Sequence, residues 1–167
     1  MFVLGIDPGL SRCGYACLDA RSGTPVRAVA LGVLTTPSSL SVPARLAGLR
    51  ADLAALMDDV APDVVAVEHV FFQVNVRTAM SVGQASGLAL AEAAARGYEV
   101  AQYTPNQVKA TLTGYGAAGK RQVQRMVQAR LGLAAPPSPP DAADAAALAL
   151  CHLAIAPFAA RVQAARR

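Results

Sequence analysis

Apolar residues in the first third of the chain fall in short runs that turn residues separate. The runs are FVLGID, CGYACLD and VRAVALGVLTT, with Pro-Gly after the first and RSGTP between the second and third. Runs of this length, bounded by Gly and Pro, are typical of strands joined by turns. We therefore expect a three-stranded antiparallel meander at the start of the chain.

The period of the apolar positions then changes. Four leucines recur at steps of three and four, which predicts one face of an amphipathic helix that Pro62 ends: Leu46, Leu49, Leu53 and Leu56. The segment PDVVAVEHV is almost continuously apolar, as expected of a strand that is buried on both faces. A helix rich in small residues, from Arg77 to Arg96, separates it from a fifth strand, YEVAQY.

The remainder of the chain predicts helices. The segment TPNQ, from Thr104, carries a capping-box pair and a proline at the first helical position. A loop over Gly114–Gly119 precedes a helix from Lys120 to Leu131, and PPSPP breaks the chain before a last helix from about Asp141 to Ala156. Strands linked by helices predict an α/β fold, a five-stranded mixed sheet flanked by helices.

Length and composition favour one domain. The chain has 167 residues, and we expect a single domain over 1–156 followed by a basic C-terminal tail over 157–167. Hydrophobic residues make up 54% and the mean hydropathy is +0.36, so a membrane span must be considered. The richest stretch, 142–160, is interrupted by Asp144, His152 and Pro157, whereas a spanning helix needs about 20 unbroken apolar residues.

The start of the chain and its cysteines indicate the compartment. Asp7 comes too early for a signal peptide, and the three cysteines are odd in number and lack the spacing of metal ligands. They predict reduced structural thiols rather than a zinc site. We therefore expect a cytoplasmic protein.

Positive charge is unevenly distributed. The net charge is +4 and the isoelectric point about 9.3, which by itself hints only weakly at a polyanionic partner. Between Val100 and Pro140 no residue is acidic and five are basic: Lys109, Lys120, Arg121, Arg125 and Arg130. This segment fits either a phosphate-binding surface or an ordinary solvated helix face.

Four of the 11 acidic residues stand in apolar surroundings: Asp7, Glu68, Asp141 and Asp144. Each has a structural alternative: Asp7 as a turn residue, Glu68 as a solvent-facing or edge-strand residue, and Asp141 and Asp144 as helix caps. However, burying an unpaired carboxylate costs several kcal/mol, and a bound metal would remove that cost. Clustered carboxylates suit Mg²⁺ or Mn²⁺, and two such ions roughly 4 Å apart suit in-line hydrolysis of a phosphodiester.

Four segments together resemble the RuvC family of Holliday-junction resolvases, in their order and spacing: GIDPGLSRCGYA, VEHVFF, TPNQVKATLTGYGAAGKRQVQRMV and DAADAAALALCH. The resemblance implies an RNase H-like fold and a crossover junction endodeoxyribonuclease that nicks opposed strands symmetrically, in recombination and repair. It implies two Mg²⁺ ions at the four carboxylates, with Mn²⁺ as an alternative. It also implies a homodimer and a branch-migration partner of the RuvA and RuvB type.

Two lysines stand out among the 15 basic residues because all the others are arginine. The resemblance places Lys109 and Lys120 near the cleavage site, and we expect Lys120 to be catalytic. Lysine presents a compact point charge where arginine presents a wide planar fork, which favours lysine in a cramped site. Chance in a lysine-poor chain is the alternative.

Further DNA contacts follow from the resemblance. Phe71 and Phe72 are expected to point to opposite faces of an extended chain, so that one can be core and the other exposed. The resemblance places the aromatic matching Phe71 at the junction, stacked on an unpaired base. Other expected contacts are Asn75, Arg77, Tyr115, Arg121 and Arg125. We interpret His69 as structural. The small residues of the second helix fit either a dimer interface or packing on their own sheet: Gly83, Ser86 and Gly87.

Three other functions share part of this pattern. GIDPG also marks phosphate-binding turns in actin-like and sugar-kinase ATPases, although those folds generally need two domains. Another RNase H-like nuclease, acting on hybrids or other branched DNA, would share the fold and the metal chemistry. A junction-binding module without catalysis would share the basic helices but would gain nothing from four carboxylates beside phosphates.

Overall fold

A computed structural model describes residues 1–21, 25–69 and 76–164, and of residues 76–78 and 158–164 it describes the backbone alone. The elements in chain order are β1 (Phe2–Asp7), β2 (Arg12–Asp19), β3 (Arg27–Thr35), α1 (Val42–Val60), β4 (Val64–Glu68), α2 (Val76–Ala95), β5 (Glu99–Tyr103), α3 (Pro105–Thr113), α4 (Lys120–Leu131) and α5 (Pro140–Ala164). Among the described residues, no helix has the length and apolar character needed to cross a membrane.

The sheet is mixed, as the sequence predicts. Its strand order is β3-β2-β1-β4-β5. The first three strands form the expected antiparallel meander, and β1, β4 and β5 run parallel. The carboxyl ends of the three parallel strands therefore lie at one edge of the sheet, which we call the carboxyl edge.

Helices cover both faces of the sheet. The α1 and α2 helices pack on the face that carries Leu4 and Ile6 of β1. The other three helices, α3, α4 and α5, pack on the face that carries Val3. Because alternate residues of a strand point to opposite faces, Asp7 shares its face with Val3 and therefore points toward α5.

Local sequence signals account for the buried face of α1 and for the start of α3. The leucine face of α1 is confirmed, since Leu49 and Leu53 are fully buried against the sheet. At the start of α3 the capping box is complete. The Thr104 hydroxyl accepts from the Gln107 backbone N–H at 3.2 Å, and the Thr104 backbone N–H donates to the Gln107 side chain at 2.9 Å.

The α5 helix lies directly against β1 and β2 because two strand glycines leave room for its backbone. A Cβ atom at Gly5 would be 2.1 Å from the carbonyl oxygen of Ala145, and one at Gly14 would be 2.1 Å from that of Asp141. A buried hydrogen bond of 2.9 Å between the Tyr103 hydroxyl and His152 Nδ1 ties α5 to β5. These contacts fix the start of α5 above the carboxyl edge.

The end of α5 differs from the prediction. The sequence predicts an end near Ala156, but the helix continues to Ala164 with Pro157 inside it. Proline removes one backbone donor and disfavours a helix interior, yet the helix continues past it here with that hydrogen bond missing. The division into a domain over 1–156 and a tail over 157–167 stays a prediction.

We expect Gly14→Ala to lower the free energy of unfolding by about 2–4 kcal/mol, because the new methyl group meets a helix backbone that cannot move independently. Urea unfolding followed by circular dichroism measures this change. The control is Gly48→Ala in α1, where a Cβ meets nothing within 4 Å and the change should stabilise by about 0.5–1 kcal/mol. Equal effects of the two substitutions would show that α5 does not need the close approach.

Candidate metal centre

The first two carboxylates of the site stand at the ends of neighbouring parallel strands. Asp7 ends β1 and Glu68 ends β4. The strands pair with Ile6 opposite Val67, so the residues that follow these two lie side by side at the carboxyl edge. Both carboxylates occupy the face of the sheet that α5 covers.

The other two carboxylates come from the first turns of α5. Asp141 and Asp144 are three residues apart, so they share one face of the helix. The contact of α5 with Gly14 brings that face over the end of β1. The structure thus brings together all four carboxylates that the sequence singles out, from three separate elements.

The pKa of Asp7 reflects the proximity of the other three carboxylates. The pKa of Asp7 is raised from 3.8 to about 7, first by burial and then by the negative charges of Glu68, Asp144 and Asp141, while Lys120 lowers it. The pKa of Glu68 is raised as well, by burial and by Asp144. Both pKa shifts indicate that the site has too little positive charge to balance its carboxylates.

Two of the carboxylates are held by cations of the chain itself. Arg12 donates from Nε and Nη2 to the same oxygen of Asp141, at 3.0 and 2.9 Å. Lys120 Nζ lies 2.6 Å from Asp144 Oδ2. Among the described residues, no three His, Cys, Asp or Glu side chains are already arranged as a ligand set for a metal ion. A metal that uses Asp141 or Asp144 therefore competes with these two cations.

The donor set nevertheless fits a hard divalent cation. All four groups are carboxylates, the ligands that Mg²⁺ and Mn²⁺ prefer, and no soft ligand lies among them. The repulsion that raises the pKa of Asp7 is what a cation between the carboxylates would relieve. The residues that could hold such an ion are Asp7, Glu68, Asp141 and Asp144.

Lys120 occupies a position that a helix disfavours for a cation. It is the first residue of α4, where the helix dipole is positive, and its ammonium group is drawn instead to the carboxylates. The hydrogen bond to Asp144 raises the pKa of Lys120, so the lysine stays charged. This contact explains why a lysine stands at this place.

Beside the carboxylates a pocket of about 220 Å³ opens between α3, α4 and α5. Lys109 and Lys120 line it together with Glu68 and Asp144, and its remaining wall is apolar: Pro105, Val108, Val123, Ala147 and Leu148. The positive charge of Lys109 lowers the pKa of Glu68, which is evidence that the two groups are close. Both lysines predicted near the cleavage site therefore face the carboxylates.

The other predicted contacts divide into three groups. Arg121 and Arg125 are exposed on one face of α4, and Tyr115, in the preceding loop, is 63% exposed. Phe71 and Asn75, together with the second phenylalanine Phe72, lie outside the described residues. Arg77 lies in α2, where the structure describes the backbone alone.

Sequence reasoning missed Arg12. Its partner Asp141 is 129 residues away, so no local spacing links the two. Arg12 is also one of 13 arginines and lies inside a segment that reads as an ordinary strand. Only the packing of α5 on β2 brings the pair together.

Comparison with known proteins gives consistent matches. The sequence model of the family described as "Crossover junction endodeoxyribonuclease RuvC" matches residues 3–152. Proteins of that name are 50% identical over 97% of this chain and 81% of their own length in Saccharopolyspora erythraea, and 51% identical over 92% and 84% in Thermobifida fusca. Thermus thermophilus RuvC, solved in complex with Holliday junction substrate, superimposes with a TM-score of 0.89 at 34% identity, over 95% of this chain and 96% of that one.

In metal-free protein, Asp7 should make stability depend on pH. A carboxyl group whose folded pKa lies above its unfolded value destabilises the fold increasingly as pH rises from about 4 to about 7, and its cost is constant above that. Asp7→Asn removes this cost. We expect the substitution to stabilise the protein in EDTA by about 2 kcal/mol more near pH 8 than near pH 5.

Urea unfolding at the two pH values measures the difference, and Asp52→Asn, at an exposed position of α1, is the matched control. Added Mg²⁺ should stabilise the wild type more than Asp7→Asn. A gain from Asp7→Asn that is the same at both pH values would contradict the proposed crowding of carboxylates.

Proposed function

Since this chain belongs to the RuvC family of crossover junction endodeoxyribonucleases, we propose that it resolves Holliday junctions by metal-dependent hydrolysis at Asp7, Glu68, Asp141 and Asp144. The observation that carries the proposal is the meeting of these four carboxylates at one sheet edge, beside two lysines. The protein is a structure-specific nuclease with an RNase H-like fold, and it depends on a divalent metal. That the metal is Mg²⁺, with two ions per site and Mn²⁺ as a substitute, is part of the proposal.

The metal ions, when bound, would activate a water molecule and stabilise the leaving oxygen of the phosphodiester. The four carboxylates of the chain would hold the ions and balance their charge. Lys120 has its ammonium group 2.6 Å from Asp144, so it can contact a phosphate that is bound at the carboxylates. Lys109 adds a second positive charge on the same pocket and on the side of Glu68.

The surface around the site supports binding of nucleic acid. We propose that Arg121 and Arg125, exposed on α4, neutralise backbone phosphates, which is independent of sequence. Tyr115 is exposed enough to stack on a base or contact the backbone. The contacts of Phe71, Asn75 and Arg77 stay predictions. The specific substrate is a four-way junction, by analogy with the junction in the Thermus thermophilus complex.

We also propose that the protein acts as a homodimer through the outer face of α2. Met80 is 59% exposed, and a Cβ at Gly83 or Gly87 would meet nothing within 4 Å, so these residues present a flat apolar face. Ser86 is buried within its own fold, so the proposed interface consists of Met80, Gly83 and Gly87. A two-fold axis would supply paired sites for opposed strands. A partner of the RuvA and RuvB type is proposed from family membership.

Cleavage of a synthetic mobile four-way junction tests the proposal, with linear duplex and an RNA–DNA hybrid as controls in Mg²⁺, Mn²⁺ and EDTA. We expect paired nicks on the junction alone, only with metal, and a loss of at least about 100-fold in Glu68→Gln. Lys120→Ala should lower the cleavage rate by about 10–100-fold and the junction affinity by much less, because its charge acts at the reacting phosphate.

Equal losses of rate and affinity in Lys120→Ala would remove its proposed part in the chemistry. Binding without cutting in any metal would leave a junction-recognition module. Cutting of the hybrid instead would be consistent with the RNase H-like fold but would show that the substrate is a hybrid rather than a junction.

The dimer surface is tested with Gly87→Glu, which places two carboxylates on the proposed two-fold interface. We expect the dissociation constant of the dimer to rise by at least about tenfold, which corresponds to about 1.4 kcal/mol. Sedimentation equilibrium measures it, and Gly48→Glu, which is equally open on α1, is the matched control. A dimer that both substitutions leave intact would place the interface elsewhere.

A further inference from the structure

Arg45 is held in a fixed position by the segment that joins β1 to β2 and by the residue that follows β3. It lies in the first turn of α1, its Nε donates to the Thr36 hydroxyl at 2.9 Å, and its Nη2 donates to the Ser11 hydroxyl at 2.6 Å. The Thr36 hydroxyl in turn donates to the carbonyl of Leu10, which leaves it little freedom to move. The guanidinium group of Arg45 is therefore oriented before any ligand arrives.

The partners of Arg45 are neutral, which sets it apart from other arginines of the described part of the chain. Arg12, Arg21, Arg50 and Arg96 each form an ion pair with a carboxylate: Asp141, Asp19, Glu92, and Asp58 with Glu92, respectively. Within residues 1–21, 25–69 and 76–164, no carboxylate forms an ion pair with Arg45. Its position is fixed by hydroxyl groups while its full positive charge remains available.

Donors suited to an anion remain free at this place. A guanidinium group has five N–H bonds, and the two hydrogen bonds to hydroxyls leave three of them. The exposed Ser11 hydroxyl accepts from Arg45, and its own proton has no acceptor among the described residues. The first turn of α1 contains no acidic residue, so the helix dipole adds to the positive potential.

The location connects these donors to the candidate metal centre. Ser11 precedes Arg12, which contacts Asp141, and Thr36 follows the end of β3, where Thr35 pairs with Arg12. Arg45 thus lies at the carboxyl edge of the sheet, on the α1 side, while the carboxylates lie on the α5 side. A DNA strand that crosses this edge from the carboxylates would carry its flanking phosphates toward Arg45 and Ser11.

We propose that Arg45 and Ser11, with Thr36 orienting the guanidinium group, bind a backbone phosphate of the junction DNA away from the cleaved bond. This inference rests on the proposed function. The contact is with phosphate oxygens alone, so it contributes affinity and register and does not read sequence. An oriented guanidinium group matches two oxygens of a phosphodiester, which a mobile lysine would do less well.

The test is the salt dependence of junction binding, measured by fluorescence anisotropy with a fluorescein-labelled four-way junction in Ca²⁺, from roughly 50 to 200 mM salt. We expect Arg45→Gln to weaken binding at the lowest salt by about 3–10-fold. It should also flatten the plot of log affinity against log salt by about 1 for each protomer that is bound. The cleavage rate at saturating enzyme should fall by a smaller factor than the affinity, because the contact lies away from the reacting atoms.

Arg27→Gln is the matched control, because it removes the same charge at the opposite end of β3, and it should leave the slope as in the wild type. Arg45→Lys keeps the charge and should also keep the slope. A wild-type slope in Arg45→Gln would overturn the inference. The inference would also be overturned if Arg45→Lys flattened the slope as much as Arg45→Gln and lowered the thermal midpoint, since Arg45 would then act only as a structural link. If the wild type does not bind the junction at all, the proposed function itself fails.

Discussion

Helix α5 lies on β1 and β2 at a distance that leaves no room for a Cβ atom at Gly5 or Gly14. This close approach carries Asp141 and Asp144 to the two carboxylates that end β1 and β4. At these two positions no side chain separates the helix from the sheet, so backbone packing sets the start of α5 and the positions of its acids. The rest of the site depends on this constraint.

The assembled carboxylates are unfavourable for the protein on its own. Burial and mutual repulsion raise the pKa of Asp7 to about 7, and the chain supplies two of its own cations against the resulting charge, Arg12 on Asp141 and Lys120 on Asp144. Unfavourable electrostatics of this kind are expected where carboxylates are arranged to bind a cation rather than to stabilise the fold. The same ion pairs keep Asp141 and Asp144 oriented while no metal competes for them.

The arginines around the carboxyl edge have two different uses. Arg12 faces a carboxylate, Asp141, so its charge is neutralised and it contributes to the fold. Those without acidic partners keep their charge for a ligand, and Arg45 does so while held by hydroxyl groups on both sides. With the lysines of the pocket and the exposed arginines of α4, the edge presents fixed positive charge on both layers of the fold, which suits a polyanion that crosses it.

Local patterns in the sequence were sufficient to predict the features that depend on neighbouring residues. The capping box at Thr104, the leucine face of α1 and the buried run of β4 follow from spacings of two to four residues, and the structure confirms each of them. The acids were recognisable because a carboxylate in an apolar run is unfavourable wherever the run packs. Their family pattern then supplied the fold and the chemistry that the comparisons support.

Which distant side chains meet depends on the packing of separate elements and could not be predicted from local patterns. The pair Arg12–Asp141 spans 129 residues, and Arg45 of α1 contacts Ser11 before β2 and Thr36 after β3. Local sequence patterns also did not predict the continuation of α5 past Pro157. The physical reason is that a spacing pattern reports one face of one element, whereas the partner of a charged group is chosen by how separate elements pack.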